Sequence, residues 1–206
     1  SGTSPLHMAC EGGHVDIVDY FLASKNENIK KQIKQLDRES RTPLVVACQN
    51  GSLECVKSLF KDKNAKKSLN PQHRKHAPLI DAAAGGYADI VKFLTAQKEI
   101  DLKSKNSKKI SALEAAILNG HCKVAEILIQ GGATKGFNEK DISDLFLLSC
   151  GTFNDDMIQF LDKILNIPYS KSGNIFMKQA CKIENESLIS FLIEKGCNFA
   201  SIKLED

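Results

Sequence analysis

The side chains best suited to chemistry in this chain are its seven cysteines and five histidines. Cysteine and histidine bind zinc when they cluster at short, defined spacings, and the sequence contains no Cys-x-x-Cys pair. His73 and His76 stand three apart in the stretch HRKH, which could hold a metal ion. Arg74 and Lys75 lie between them and would repel a cation. We therefore expect no metal site and no other cofactor.

Catalytic patterns are also missing from the sequence. His121 and Cys122 are adjacent, so their side chains point in different directions rather than towards each other. Asp155 and Asp156 are placed to begin a helix, where carboxylates favourably meet the helix dipole. No glycine-rich phosphate loop and no Ser/His/Asp spacing is present. We expect a protein that is not an enzyme.

Bulk composition excludes several classes. The 206 residues carry a net charge of +3 and are 42% hydrophobic, without an apolar run near the ~20 residues of a membrane helix. Residues 1–30 lack the plan of a signal peptide. An odd number of cysteines without framework spacing favours reduced thiols. We expect a cytoplasmic protein, with the nucleus as the alternative location.

The chain repeats itself at intervals of 31 to 38 residues. A pattern that starts at Pro5 returns near residues 43, 78 and 112, and more loosely near 145 and 176. Four positions after each start the residue is small. These residues are Ala9, Ala47, Ala82, Ala116, Ser149 and Ala180. Such regular self-similarity predicts a stack of structural repeats.

Each repeat has the pattern of two short helices joined by a turn. In the first repeat, Leu6, Ala9 and Cys10 share one helical face, and Ile17 to Leu22 carry a second apolar stripe. Gly12-Gly13 between them allows the backbone to reverse. A unit with two apolar faces cannot bury both alone, so neighbouring units must stack.

This periodicity assigns a role to the cysteines. Cys10, Cys48, Cys150 and Cys181 occupy one equivalent repeat position, where the other repeats have Ala83 and Ile117. We therefore predict that they are small packing residues. The same role is predicted for Cys55, Cys122 and Cys197.

These motifs resemble those of the ankyrin-repeat family. Ser4-Pro5-Leu6-His7 and Thr42-Pro43-Leu44 are similar to its Thr-Pro-Leu-His start, and Gly13-His14 and Gly120-His121 to its Gly-His turn. Repeats five and six depart from the pattern, with Leu145 and Phe176 in place of the proline.

The resemblance implies a fold and roles for several histidines. The fold would be an all-α ankyrin-repeat solenoid of about six helix–turn–helix repeats with β-hairpin or loop fingers, forming one domain over residues 1–206. By resemblance, His7 ties neighbouring loops together, while His14 and His121 cap inter-helix turns. Gly2 stands where the family has a turn glycine, so we expect a segment of a longer protein.

Basic residues concentrate between the first four repeats. Segments 25–41, 61–76 and 98–109 hold seventeen of the 28 basic residues but six of the 25 acidic residues. One interpretation is a set of solvated loops; the other is a ridge of basic fingers that attracts an acidic partner. The first segment also has Ile29, Ile33 and Leu36 at helical spacing, which predicts a short extra helix, or an extension of the preceding one, with all three packed inward.

The resemblance also suggests a binding surface. In the family, partners contact the finger tips and the exposed side of the inner helices, which form a concave groove. Carried onto this chain, those positions give our candidate partner-binding residues. They are Glu11, Arg38, Arg41, Gln49, Asn50, His73, Arg74, His76, Lys108, Ile110, Leu118 and Asn119.

We therefore expect a non-catalytic, monomeric scaffold that binds a protein or peptide, with an apolar anchor at Ile110 and Leu118 and flanking acidic groups on the partner. One alternative is electrostatic binding of nucleic acid or anionic lipid, although aromatic residues suited to stacking bases are missing from the fingers. Another is a regulatory domain of a multidomain enzyme or channel.

Overall fold

A computed structural model describes residues 2–66, 69 and 75–197 of the chain. Within these residues the regular elements are helices, and extended pairing is limited to one isolated bridge between Lys105 and Ser111. The helices are α1 (Pro5–Glu11), α2 (Val15–Ala23), α3 (Glu27–Gln32), α4 (Pro43–Gln49), α5 (Leu53–Phe60), α6 (Lys63–Lys66), α7 (Pro78–Ala84), α8 (Ala88–Thr95), α9 (Ala112–Leu118), α10 (Cys122–Gln130), α11 (Glu139–Cys150), α12 (Asp155–Ile164), α13 (Tyr169–Lys182) and α14 (Glu186–Glu194). The all-α repeat fold is confirmed, and the described fingers are loops.

The local sequence determines where the early inner helices begin. The side chains of Ser4 and Thr42 accept a hydrogen bond from the backbone N–H of the third residue of α1 and α4, and a proline follows each of them. Proline suits this first position because its missing N–H would have no helical partner and its φ is already helical. The cap and the proline together begin each helix at the residue that the repeat pattern predicts.

The turn between the two helices keeps one conformation in all six repeats. The residue eight positions after each repeat start has a positive φ, between 53° and 75°. These residues are Gly13, Gly51, Gly86, Gly120, Phe153 and Glu184. Repeats five and six therefore preserve the turn without its glycine, which supports the repeat register along the whole series.

The chain divides into two compact units, residues 1–116 with 123–133 and residues 117–122 with 134–206. In unit 1, α1 packs on α4 and α4 on α7, while α2 packs on α5 and α5 on α8. In unit 2, α11 packs on α13, and α12 and α14 pack on those two helices respectively. Each unit is thus built from inner and outer helices.

The small position of each repeat is buried in the core. Ala47, Ala82, Ala116, Ser149 and Ala180 are fully buried and Ala9 is 3% exposed. A methyl or hydroxymethyl group at this position lets successive inner helices approach each other, because a larger side chain would hold them apart. The prediction for this position is confirmed in every repeat.

The last two inner helices differ from the first four in length. α11 begins at Glu139 and α13 at Tyr169, six and seven residues before the repeat starts near 145 and 176. Where the first four repeats have a finger, these two continue as helix. The helices expected in repeats five and six are present.

Segment 25–41 forms the predicted extra helix, α3, separated from α2 by Ser24 and capped by Asn26. Ile33 is buried as expected and Ile29 is half-buried. The prediction for Leu36 was wrong, since its side chain is 39% exposed. The helix ends before Leu36, so the helical spacing that placed it inward no longer applies there.

The cysteine predictions hold for all but two residues. Cys10, Cys48, Cys55, Cys150 and Cys197 are buried, while Cys122 is half-buried. Cys181 was predicted to pack inside but is exposed. Cys181 lies in the last turn of α13, which ends at Lys182.

Candidate partner-binding face

The described fingers that precede α4 and α9 are built by the same local chemistry. Asp37 Oδ1 accepts hydrogen bonds from the backbone N–H groups of Glu39 and Arg41, each at 2.9 Å. Asn106 Oδ1 accepts in the same way from Lys108 and Ile110, at 3.0 and 3.1 Å. This side-chain turn closes each finger and leaves its tip in solvent.

The left-handed residue of each finger lies one position before its end. Ser40 and Lys109 have φ values of 63° and 61°. Arg38 and Lys108, on the same two tips, are exposed. The two fingers therefore present a basic side chain in solvent at nearly equivalent positions.

His7 ties the second finger, which precedes α4, to α1, as the resemblance implies. Its Nε2 lies 3.0 Å from the carbonyl oxygen of Arg41, and its Nδ1 lies 2.8 Å from Ser4 Oγ. Because a carbonyl only accepts, Nε2 carries the proton and Nδ1 accepts from Ser4. The buried imidazole thus links repeat one to repeat two. His14, by contrast, makes no side-chain capping bond to α2, so that part of the predicted role was wrong.

A chain of polar contacts runs across the inner helices of unit 1. We call it the Asp37–Asp81 network, and it consists of Asp37, Arg41, Gln49, His76 and Asp81. Arg41 Nε and Nη2 lie 2.8 and 2.7 Å from Asp37 Oδ2, and Arg41 Nη1 donates to Gln49 Oε1 at 3.0 Å. Gln49 Nε2 donates to Asp81 Oδ1 at 2.7 Å.

The far end of the network closes on the third finger. His76 Nδ1 lies 2.9 Å from Asp81 Oδ1, and the backbone N–H of Ala77 donates to Asp81 Oδ2 at 2.7 Å. The interpretation of segment 61–76 as a solvated loop is wrong for His76, because its side chain is 13% exposed. The carboxylate of Asp81 draws it inward, so the finger is attached to the start of α7.

Carboxylates on this face are held in their charged form. Burial by itself would raise the pKa of Asp37, but the hydrogen bonds and charge of Arg41 outweigh burial and hold that pKa below its ordinary value. The pKa of Glu114 is also lowered, against the effect of burial, by hydrogen bonds from Ser111 and by Lys105.

The predicted binding residues of unit 1 fall into two groups. Arg41, Gln49 and His76 belong to the Asp37–Asp81 network, in which each makes at least one polar contact within the unit. The other group is exposed. It comprises Glu11, Arg38, Asn50 and Lys108. Ile110 is half-buried.

The remaining candidates lie elsewhere. Leu118 and Asn119 belong to unit 2, and both are exposed. The predictions for His73 and Arg74 fall outside the described residues. The structure therefore brings together the candidates of the second finger, α4 and the third finger.

Sequence reasoning missed both carboxylates of the network. Asp81 occupies a position where the corresponding residues in repeats one, two and four are Met8, Val46 and Ala115. An acidic residue at a position that is apolar in those three repeats is a signal that could have revealed a buried partner. Asp37 has a weaker signal, its spacing of four residues before Arg41.

The structure gives little support for metal binding or reactive thiols on this face. Among residues 2–66, 69 and 75–197, the structure groups no three histidine, cysteine or acidic side chains as metal ligands. Burial raises the pKa of the Cys10 and Cys48 thiols, which disfavours the reactive thiolate. Across the same part of the chain, none of the helices combines the length and apolar character needed to cross a bilayer.

Comparison with known proteins identifies the repeat type. The family described as "Ankyrin repeats (3 copies)" matches residues 1–71 and 65–141. The ankyrin repeat and KH domain-containing protein mask-1 of Caenorhabditis elegans is 33% identical over 98% of this chain, which spans 9% of that protein. The human ankyrin repeat and SOCS box protein 11 is 31% identical over 62% of this chain, which spans 37% of it.

A solved structure supports the same fold. The crystal structure of the human ASB11 ankyrin repeat domain superposes with a TM-score of 0.72 at 19% sequence identity, covering 98% of this chain and 88% of that one. At this identity the likeness concerns the fold alone. The chain spans well under two thirds of the length of the curated relatives named above.

Proposed function

Because this chain belongs to the ankyrin-repeat family, we propose that it is a non-catalytic scaffold whose inner-helix face in unit 1 binds another protein or a peptide. The family fold is a general protein-interaction module. The proposed contact residues are the exposed group Glu11, Arg38, Asn50 and Lys108, the half-buried Ile110, and the accessible edges of the Asp37–Asp81 network.

The observation that carries this proposal is the network itself. Arg41, Gln49 and Asp81 hold one another through bonds of 2.7 to 3.0 Å across two successive repeats. Side chains that are ordered before binding lose less conformational entropy when a partner arrives. The network therefore supports a preordered polar surface beside the finger that precedes α4, whose tip carries the exposed side chain of Arg38.

The exposed basic side chains of the fingers support an acidic partner. Arg38, Lys75, Lys108 and Lys109 are exposed on the fingers of unit 1, whereas Lys105 is engaged by Glu114 at 2.9 Å. An excess of exposed positive charge raises the association rate of a negatively charged segment and orients it. We infer that the partner segment presents carboxylates to the finger tips and an apolar side chain to Ile110.

Charge reversal tests the proposal. Peptides selected from a random display library with the full chain would be measured by fluorescence anisotropy against Arg38→Glu, Lys108→Glu and Ile110→Glu. Each change should weaken binding, by about tenfold for a central contact. Lys92→Glu makes the same charge change at an exposed position on the outer helix α8 and should leave binding unaltered. Equal affinities for all variants would refute the site.

The same exposed bases favour a second candidate, electrostatic binding of nucleic acid or anionic lipid. Salt separates the two, because phosphate binding by many lysines should fall by about 10³–10⁵ between roughly 50 and 200 mM salt. Recognition of a peptide through Ile110 and the preordered polar surface should lose far less. A regulatory role within a longer enzyme or channel is compatible with either outcome.

A further inference from the structure

We infer that Phe153 anchors a second binding surface, in unit 2, which takes a protein segment with an apolar side chain flanked by lysine or arginine. This surface lies outside the inner-helix face of unit 1 and calls for a partner of the opposite charge. It consists of the turn between α11 and α12 and the two turns that touch it.

Phe153 is costly to the fold in two ways. It has a φ of 53° at the repeat position that the first four repeats give to glycine, and a bulky L-residue is strained in this left-handed region. Its ring is also 64% exposed, so burial does not offset the strain. Strained residues that do not serve the fold are concentrated at functional sites.

A second apolar side chain lies on a touching turn. A Cβ atom built on Gly120 would come within 2.2 Å of Asn154 Nδ2, so the turn after α9 is in direct contact with the turn that holds Phe153. Leu118, two residues before Gly120, is 41% exposed. Two large apolar side chains are thus presented to solvent from neighbouring turns of the same unit.

The third turn contributes charge. Ser187 Oγ donates to Asp155 Oδ2 at 2.7 Å, which joins the start of α14 to the start of α12. Within residues 151–156 and 182–187, one basic residue, Lys182, stands against four exposed carboxylates. These are Asp155, Asp156, Glu184 and Glu186.

This combination defines the partner. Carboxylates on the same and the adjoining turn as an exposed aromatic ring favour a guanidinium or ammonium group, which also gains from lying over the ring face. The apolar side chain of the same segment would cover Phe153 and Leu118, removing their exposed surface from water. An acidic segment, which the fingers of unit 1 favour, would be repelled here.

A random peptide display library screened against the full chain tests this inference. We expect one class of enriched peptides with an aromatic or aliphatic residue next to lysine or arginine. This class should persist with Phe153→Tyr, which keeps the ring, and disappear with Phe153→Asn, because asparagine tolerates the left-handed turn but offers no apolar surface. A synthetic peptide of this class should bind Phe153→Asn at least about tenfold more weakly by fluorescence anisotropy, the loss typical of an aromatic anchor.

Two controls make the result specific. Tyr20→Asn removes another exposed aromatic side chain, on α2 of unit 1, and should leave this peptide class bound. Asp156→Lys should weaken binding of this peptide class, because it replaces a negative charge with a positive one. No enrichment of basic and apolar peptides, or unchanged binding to a folded Phe153→Asn variant, would overturn the inference. Acidic peptides that depend on Arg38 report on the proposed function instead, so each idea can fail separately.

Discussion

The side-chain amide of Gln49 donates a hydrogen bond of 2.7 Å to the carboxylate of Asp81. Gln49 closes α4 and Asp81 lies in the first turn of α7, so the bond joins the inner helices of two successive repeats. The same glutamine accepts from Arg41 at 3.0 Å. One side chain therefore connects a finger, its own helix and the next repeat.

Replacing Gln49 by leucine should destabilise the protein. The change leaves Asp81 and Arg41 each without one hydrogen-bond partner in a part-buried site, at a cost of about 1–3 kcal/mol. Urea denaturation followed by circular dichroism measures this loss. Asn50→Ala, at the exposed neighbouring position, is the matched control and should cost less. Equal losses in the two variants would contradict the proposed importance of the network.

Asp37 should make the free energy of unfolding depend on pH in the acidic range. Its pKa is lower in the folded protein than its ordinary value of 3.8. The unfolded chain then binds the proton more readily, so the stabilisation is complete above 3.8 and is lost as the pH falls through the folded value. Asp37→Asn should flatten this part of the curve of unfolding free energy against pH. Glu39→Gln, an exposed carboxylate two residues away, should preserve it.

Relief of the backbone strain at the left-handed turn residues should stabilise unit 2. Phe153→Gly and Glu184→Gly remove strain that glycine does not feel, and the unfolding free energy should rise by up to about 1 kcal/mol after the larger chain entropy of glycine is deducted. The reverse change, Gly196→Ala, should cost about 1–2 kcal/mol. A Cβ at Gly196 meets no atom within 4 Å among the residues that the structure describes, so that loss reports strain of the backbone. Thermal and urea unfolding would measure all three.

Alkylation should distinguish the cysteines. Cys181 is exposed and should react first with iodoacetamide in the folded protein. Cys10, Cys48 and Cys150 are buried, and burial raises the pKa of the Cys150 thiol to about 12, so these residues should react only after unfolding. Peptide mass spectrometry with and without urea checks the order. Early labelling of Cys48 in the native protein would contradict the packing described here.

A charge at the small repeat position should unfold unit 1. Ala82 is fully buried on the inner helix α7, and Ala82→Asp would bury a carboxylate without a partner, at a cost of several kcal/mol. Ala84→Asp places the same group two residues further on, where the side chain is half-buried, and should be tolerated better. A cooperatively folded Ala82→Asp variant would argue against the repeat register.

Periodic features of the fold were predictable from the sequence. The positions of Ala9, Ala47 and their equivalents, and the helix starts at Pro5, Pro43, Pro78 and Ala112, follow from which side of a helix must be buried. Whether a residue is buried depends on its position in the repeat and not on one particular contact. A repeated pattern of small and apolar residues therefore indicates the buried positions directly. The equivalence of Phe153 to the turn glycines follows from the same register.

Pairwise contacts were decided only in the tertiary structure. Whether Gln49 reaches Asp81 depends on the separation of side chains from successive repeats. Which carboxylate Arg41 binds, and whether His76 faces solvent or Asp81, depends on the local path of the fingers. Neighbouring repeats place many polar groups within reach of one another, and the sequence does not select among them. The exposure of Leu36 and Cys181 has a related cause, because both depend on where a helix ends or what packs beyond it. Periodicity in the sequence thus determined which faces are buried, while hydrogen bonding between repeats, which acts over short distances and in particular directions, required the folded arrangement.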